Sequence, residues 1–189
     1  GKLGRGGQGM VFKARHDPLH RWVALKVIRA GELADDKELA RFRREAQAAA
    51  QLQHPNLVQV FEVGEHECQP YLALEYVPSG SLAEHLAGTP IPVAQAARLV
   101  ETLSGAIHHA HVHGIIHRDL KPGNVLLHGE QVPSPERPSA TFDLQSAIPK
   151  ITDFGLAKRQ DVPRDFTESG AVFGTVEYMA PEQARGKSK

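Results

Sequence analysis

Cysteine is almost missing from this chain: Cys68 is the single one in 189 residues. No internal disulfide can form, and a reducing compartment fits best. Net charge is missing as well, with 22 Lys and Arg against 22 Asp and Glu. That balance removes the electrostatic case for nucleic acid or an anionic membrane as a partner. No apolar run approaches the ~20 residues of a membrane span. No signal peptide is visible, and the chain opens on Gly1 rather than Met, so it is expected to be cut from something longer. The length suits one domain or two small lobes and needs no disulfide or metal staple.

What is present is loop-rich, with 17 Gly and 13 Pro. There are also 11 His, four of them close together as His108, His109, His111 and His113. A polar helix end, where imidazole suits the helix dipole, explains that cluster better than a metal site, because no Cys or carboxylate joins it at ligand spacing.

Short β-branched and aromatic runs at Met10–Ala14 and Trp22–Ile28 predict strands, and Leu57–Gly64 and Tyr71–Val77 predict two more. Between them, Leu39, Phe42, Ala46, Ala49 and Leu52 recur every three or four residues, so an amphipathic helix is expected over Glu32–Gln53. Pro78–Gly80 reads as a boundary. Ser81 and Glu84 fit a capping box that opens a short helix. A longer helix is expected over Val93–His113, with Ala96, Val100, Leu103, Ile107 and Ala110 as its apolar stripe and Gly114 as its stop. Two strand-like stretches follow, Val125–His128 and Lys150–Thr152. The polar, turn-rich segment between them, about 129–148, reads as a mobile surface insertion.

Five features suggest phosphate chemistry. Gly4, Gly6 and Gly9 lie in a loop that enters a strand, where missing Cβ atoms let backbone N–H groups approach phosphate oxygens. A dinucleotide fingerprint would need a helix next, and Met10-Val11-Phe12-Lys13 is strand-like instead. Lys26 sits in the apolar strand Val23-Ala24-Leu25, where its charge needs a partner. Glu45, on the amphipathic helix, is the expected one. His117-Arg118-Asp119-Leu120-Lys121-Pro122-Gly123-Asn124 places a base, cations and a carboxamide in one turn, and Asp153-Phe154-Gly155 follows a short strand. Asn124 and Asp153 supply hard oxygen ligands of the kind Mg²⁺ takes beside phosphates.

In this order the set resembles a protein kinase, of the bacterial Ser/Thr type with a eukaryotic-like catalytic domain. Ala180-Pro181-Glu182 completes the pattern. The resemblance implies an α+β, bilobal fold. Residues 1–77 would form a β-rich N-lobe with one main helix and the hinge at 75–77. Residues 78–189 would form an α-rich C-lobe, incomplete after Ala180-Pro181-Glu182. It also implies ATP-dependent phosphoryl transfer to Ser or Thr hydroxyls of protein substrates, with ATP and Mg²⁺ as cofactors. Gly4–Gly9 would cover the phosphates, and Lys26, held by Glu45, would bind them. Val11, Ala24 and Leu126 would sandwich the adenine, with Leu74 as gatekeeper and Glu75, Tyr76 and Val77 as hinge. Asp119 would take the hydroxyl proton, Lys121 would steady the transferred phosphoryl group, and Asn124 and Asp153 would hold Mg²⁺. Thr175 would pack against the catalytic pair. Arg118, with Lys158, would dock a loop phosphorylated at Thr167 or Ser169, and a dimer of kinase domains would serve that autophosphorylation.

Two departures stand out. Asn124 and Asp153 are 29 positions apart, about twice the family's usual spacing, because of the insertion. The chain also stops where such kinases continue with several helices. A truncated sequence is therefore expected, weakly stable and weakly active by itself. The alternative to an active enzyme is an inert fragment or a nucleotide-binding pseudokinase that acts as an interaction module. A cytoplasmic location is expected for the domain, with membrane attachment only through segments outside this chain.

Overall fold

In the computed structural model, residues 1–6, 9–28, 36–129, 131–134, 137–142, 146–154, 178 and 181 are described. Strands β1 (Lys2–Gly6), β2 (Gly9–His16), β3 (Arg21–Ile28), β4 (Val60–His66) and β5 (Gln69–Glu75) form one antiparallel sheet of order β1-β2-β3-β5-β4. Helix α1 (Asp36–Ala50) packs against it. Helices α2 (Leu82–Leu86) and α3 (Val93–Val112) follow. Strands β6 (Val125–His128) and β9 (Ile148–Ile151) pair antiparallel, and β7 (Gln131–Ser134) pairs with β8 (Arg137–Phe142). The fold is α+β, as expected. Among the described residues no helix is long and apolar enough to cross a membrane.

Several boundaries shift. β1 was read as loop because Gly4 and Gly6 mask its pattern, yet it pairs with β2 from Lys2↔Phe12 to Gly6↔Gly9. Helix α1 ends at Ala50, and Gln51 and Leu52 bond back only three residues, to Ala48 and Ala49. Leu57 is no strand residue of the large sheet. It makes an isolated parallel bridge to Ile151 instead. The segment 129–148, expected to be irregular, contains the β7–β8 ladder: each strand satisfies its neighbour's backbone groups, which a polar loop must otherwise give to water.

Phe42, Ala46 and Ala49 carry the buried stripe of α1 onto Ile28, Val58, Val60, Leu72, Leu74 and Val77. A second core joins Leu82, Leu103, Ala106, Ala110, Val125, Leu127, Ile151 and Phe154, and it also takes Leu52 and Leu57. The buried stripe of α3 differs from the expected one. Leu103, Ala106 and Ala110 face the core with Leu99 and Ile107 beside them, while Val100 is exposed. The sets 99, 103, 106, 110 and 96, 100, 103, 107 have the same helical spacing, so the face that packs against β9 decides between them. The Ser81–Glu84 capping box is formed.

Glycine at position 9 has a structural cause. Its φ is +147°, and a Cβ there would lie 2.0 Å from the Val27 carbonyl oxygen on β3. Gly4, by contrast, faces open space. The turn from β4 to β5 is two residues, Glu67 and Cys68, both at positive φ (48° and 60°), the twist such tight hairpins need.

Candidate active site

The segment His117–Asn124, the expected catalytic loop, stands between α3 and β6. His117 is buried, and its neighbours define its protonation. Its Nδ1 accepts the Asp119 backbone N–H at 3.2 Å, so Nε2 carries the proton and donates it to the Thr152 carbonyl at 2.9 Å. One neutral imidazole thus fastens the loop to the residue just before Asp153. The Thr152 N–H also donates to the Asn124 carbonyl at 2.9 Å. Phe154 is buried against the same imidazole, with ring centroids 4.8 Å apart.

Asp119 is held from two sides. Asn124 Nδ2 donates to its backbone carbonyl at 2.8 Å and to Oδ2 at 3.2 Å. Lys121 Nζ stands 3.1 Å from the same Oδ2. Arg118 and Asp153 both take left-handed backbone, with φ of 62° and 61°. That conformation costs a side-chain-bearing residue roughly 1–2 kcal/mol, and such residues cluster where function over-determines the backbone.

Lys26 is buried in β3, and its Nζ donates to Asp153 Oδ1 at 2.8 Å. Glu45 was the expected partner of Lys26; the carboxylate found on its Nζ is that of Asp153. Burial explains why Lys26 needs a carboxylate close by. The spacing of α1 could not reveal that Asp153 would supply one.

Val11 lies opposite Lys26 in the β2–β3 register. Leu74 and Val77 are buried in the first core, with Ala24 and Leu126 packed on it, so these four expected adenine contacts meet. Sequence reasoning missed Lys13. Its Nζ lies 4.3 Å from the Tyr76 ring centre and 5.0 Å from that of Trp22, a cation–π bracket on the hinge tyrosine. The signal available was its spacing of two from Val11, which puts both on one face of β2. Gly4 and Gly6 lie in β1 and Gly9 opens β2. Gly155, Lys158, Thr167, Ser169, Thr175, Ala180 and Glu182 lie outside the described residues.

The donor set suits Mg²⁺. Asp153 offers a carboxylate and Asn124 a carboxamide, both hard oxygen ligands. The two Asn124 Nδ2 contacts go to Asp119, which turns the amide so that its oxygen is the atom left for a cation.

The histidine cluster does other work. Among the described residues no group of three His, Cys, Asp or Glu side chains could hold a metal ion. His54 lies 5.2 Å from His109, which lies 4.5 Å from His113, ring centre to ring centre. Burial, His109 and Lys150 together hold the His54 pKa below its ordinary 6.5. The unfolded chain therefore takes up this proton first as pH falls. The stabilising contribution is complete above the ordinary value and is lost as pH drops from there toward the lowered folded value. The melting temperature is expected to fall between pH about 7.5 and about 5.5, and to fall less in His54→Asn. Parallel melts of the two proteins at those pH values check this, and identical slopes would refute it.

The family model "Protein kinase domain" matches residues 1–189. The chain is 42% identical over 192 residues to "Serine/threonine-protein kinase PknB" of Mycobacterium leprae, covering 98% of this chain and 28% of that protein. It is 37% identical over 185 residues to "Serine/threonine-protein kinase PrkC" of Bacillus subtilis, covering 97% of this chain and 26% of that one. The crystal structure of the Mycobacterium tuberculosis PknI kinase domain superposes with a TM-score of 0.68 at 31% identity, over 92% of this chain and 65% of that chain. The chain therefore spans under a third of these curated relatives' length. With the family model matched over residues 1–189 and these relatives alike along the whole chain, the chain belongs to the protein kinase family.

Proposed function

We propose that the protein carrying this chain transfers the terminal phosphoryl group of ATP to Ser and Thr hydroxyls of protein substrates. The observation that carries this is the joined loop. Asp119 is fixed by Asn124 and Lys121, and His117 ties that loop to the strand that presents Asp153 to Lys26. Asp119 accepts the proton of the substrate hydroxyl, and Lys121 neutralises charge on the phosphoryl group in flight. Lys26 binds the phosphates with the glycines Gly4, Gly6 and Gly9. Val11, Ala24, Leu74 and Leu126 enclose the adenine, whose edge meets the backbone of Glu75 and Val77. Asn124 and Asp153 would hold Mg²⁺, which supplies positive charge to the phosphate oxygens. In this reading residues 1–77 and 78–189 are the two lobes, and Thr175 lies against Asp119 and Lys121. The domain works in the cytoplasm, and any membrane anchor belongs to other segments.

Label from γ-labelled ATP with Mg²⁺ is expected on Ser and Thr and not on Tyr. Regulation by autophosphorylation within a dimer belongs to the same reading: a phosphate on Thr167 or Ser169 would pair with Arg118 and Lys158 and order that segment. Thr167→Ala/Ser169→Ala is expected to lower activity at least several-fold, and full activity in that double variant would sink the regulatory part. One rival is a nucleotide-binding module without catalysis, which the same Lys26–Asp153 pair would also serve. ATP binding without any labelled product would decide for it.

A further inference from the structure

We infer that Lys150 and Glu75 form a positioning pair that sets the distance between the hinge and Asp153, the carboxylate paired with Lys26. The inference rests on the kinase reading and adds a residue, Lys150, that this reading leaves unused. Glu75 closes β5 just before Tyr76, and Lys150 lies in β9, three residues before Asp153. Lys150 Nζ stands 3.0 Å from each Glu75 carboxylate oxygen, and the side chains are only 13% and 23% exposed. An exposed pair would contribute little. A largely buried one persists only where further hydrogen bonds complete it, and its main return is a fixed geometry.

Those further bonds exist. Glu75 Oε2 also accepts the Gln59 N–H at 3.3 Å, and the Glu75 N–H donates to the Gln59 carbonyl at 2.8 Å. Gln59 Nε2 donates onward to the Ala50 carbonyl at the end of α1, at 3.2 Å. Strand β9 is aligned along the segment 56–58: Val58 N–H donates to Ile151 O at 2.9 Å, and Ile151 N–H to Asn56 O at 2.8 Å. None of those backbone bonds reaches β5. Lys150–Glu75 spans that gap directly, from the strand that leads into the hinge to the strand that leads into Asp153. In the kinase reading a nucleotide bridges the same two ends, with its base at the hinge and its phosphates at Lys26, beside Asp153. The pair should therefore matter for a ligand that touches both ends, and little for one that touches the hinge alone.

The test compares adenosine with MgATP in the protein carrying this chain. Lys150→Met is expected to lower kcat/KM for MgATP and MgATP affinity about tenfold while adenosine affinity stays within about twofold. Lys150→Arg, whose planar fork also meets both carboxylate oxygens, is expected to recover most of the loss. Glu75→Gln keeps the side-chain shape and should show the same split, which covers the case where Lys150→Met does not fold. Equal weakening of adenosine and MgATP, or no change in either, would overturn the pair's role. A wild-type protein that binds MgATP but transfers nothing would defeat the kinase reading alone, and the binding comparison would still judge the pair.

Discussion

Asp119→Asn should abolish most phosphoryl transfer, lowering kcat by about 10²- to 10⁴-fold, with little change in the KM for ATP. The substitution keeps the shape of the side chain, so an oxygen remains for the Asn124 Nδ2 contact now made at 3.2 Å. It removes the charge that faces Lys121 Nζ at 3.1 Å and the basicity that would take a hydroxyl proton. Leu74, Val77, Ala24 and Leu126, the proposed adenine enclosure, pack in a core that Asp119 does not join. The split between kcat and KM separates lost proton transfer from lost folding. A variant that keeps more than about a tenth of wild-type kcat would remove Asp119 from the role of base.

Phe42→Ala should destabilise the protein by about 3–5 kcal/mol, the usual cost of emptying a fully buried aromatic site. Phe42 is 1% exposed and lies among Ala46, Ala49, Val58, Val60 and Leu72. Alanines on its own helix leave few long side chains to collapse into the space. Against a typical total of roughly 5–15 kcal/mol, that loss is a large share. Urea denaturation of the protein carrying this chain measures it. A change within about 0.5 kcal/mol, as a surface site gives, would mean that α1 is not held by this contact.

The elements that could be read in advance were those whose local pattern and tertiary surroundings agree. Runs of β-branched and aromatic residues placed β3, β4 and β5 within a few residues, and Phe42, Ala46 and Ala49 kept their period because a sheet covers that face. Helix α3 shows the limit. It is apolar on more than one side, so periodicity could not choose between Val100 and Ala106, and only the position of β6 and β9 selects the latter. The hairpin β7–β8 escaped because its strands contain Pro133 and Pro138, which demote a strand reading. Within the site, residue types and order marked Lys26, Asp119, Asn124 and Asp153. Partnership was less legible. A buried lysine announces that it needs a carboxylate, but nothing in the sequence singles out Asp153, which the fold brings to 2.8 Å. Lys150 gave no signal because it sits among strand residues, where a lysine ordinarily points to water.

The β4–β5 turn gives the scarcity of thiols a practical value. Cys68 is exposed at the tip of that hairpin, and no second cysteine exists in the chain to compete with it. A maleimide dye or nitroxide would attach there at one defined point, on the far end of the strand that runs down to Glu75. The hairpin then becomes a pointer, and its distance to a second reporter on α3 would read how the sheet moves against that helix in solution.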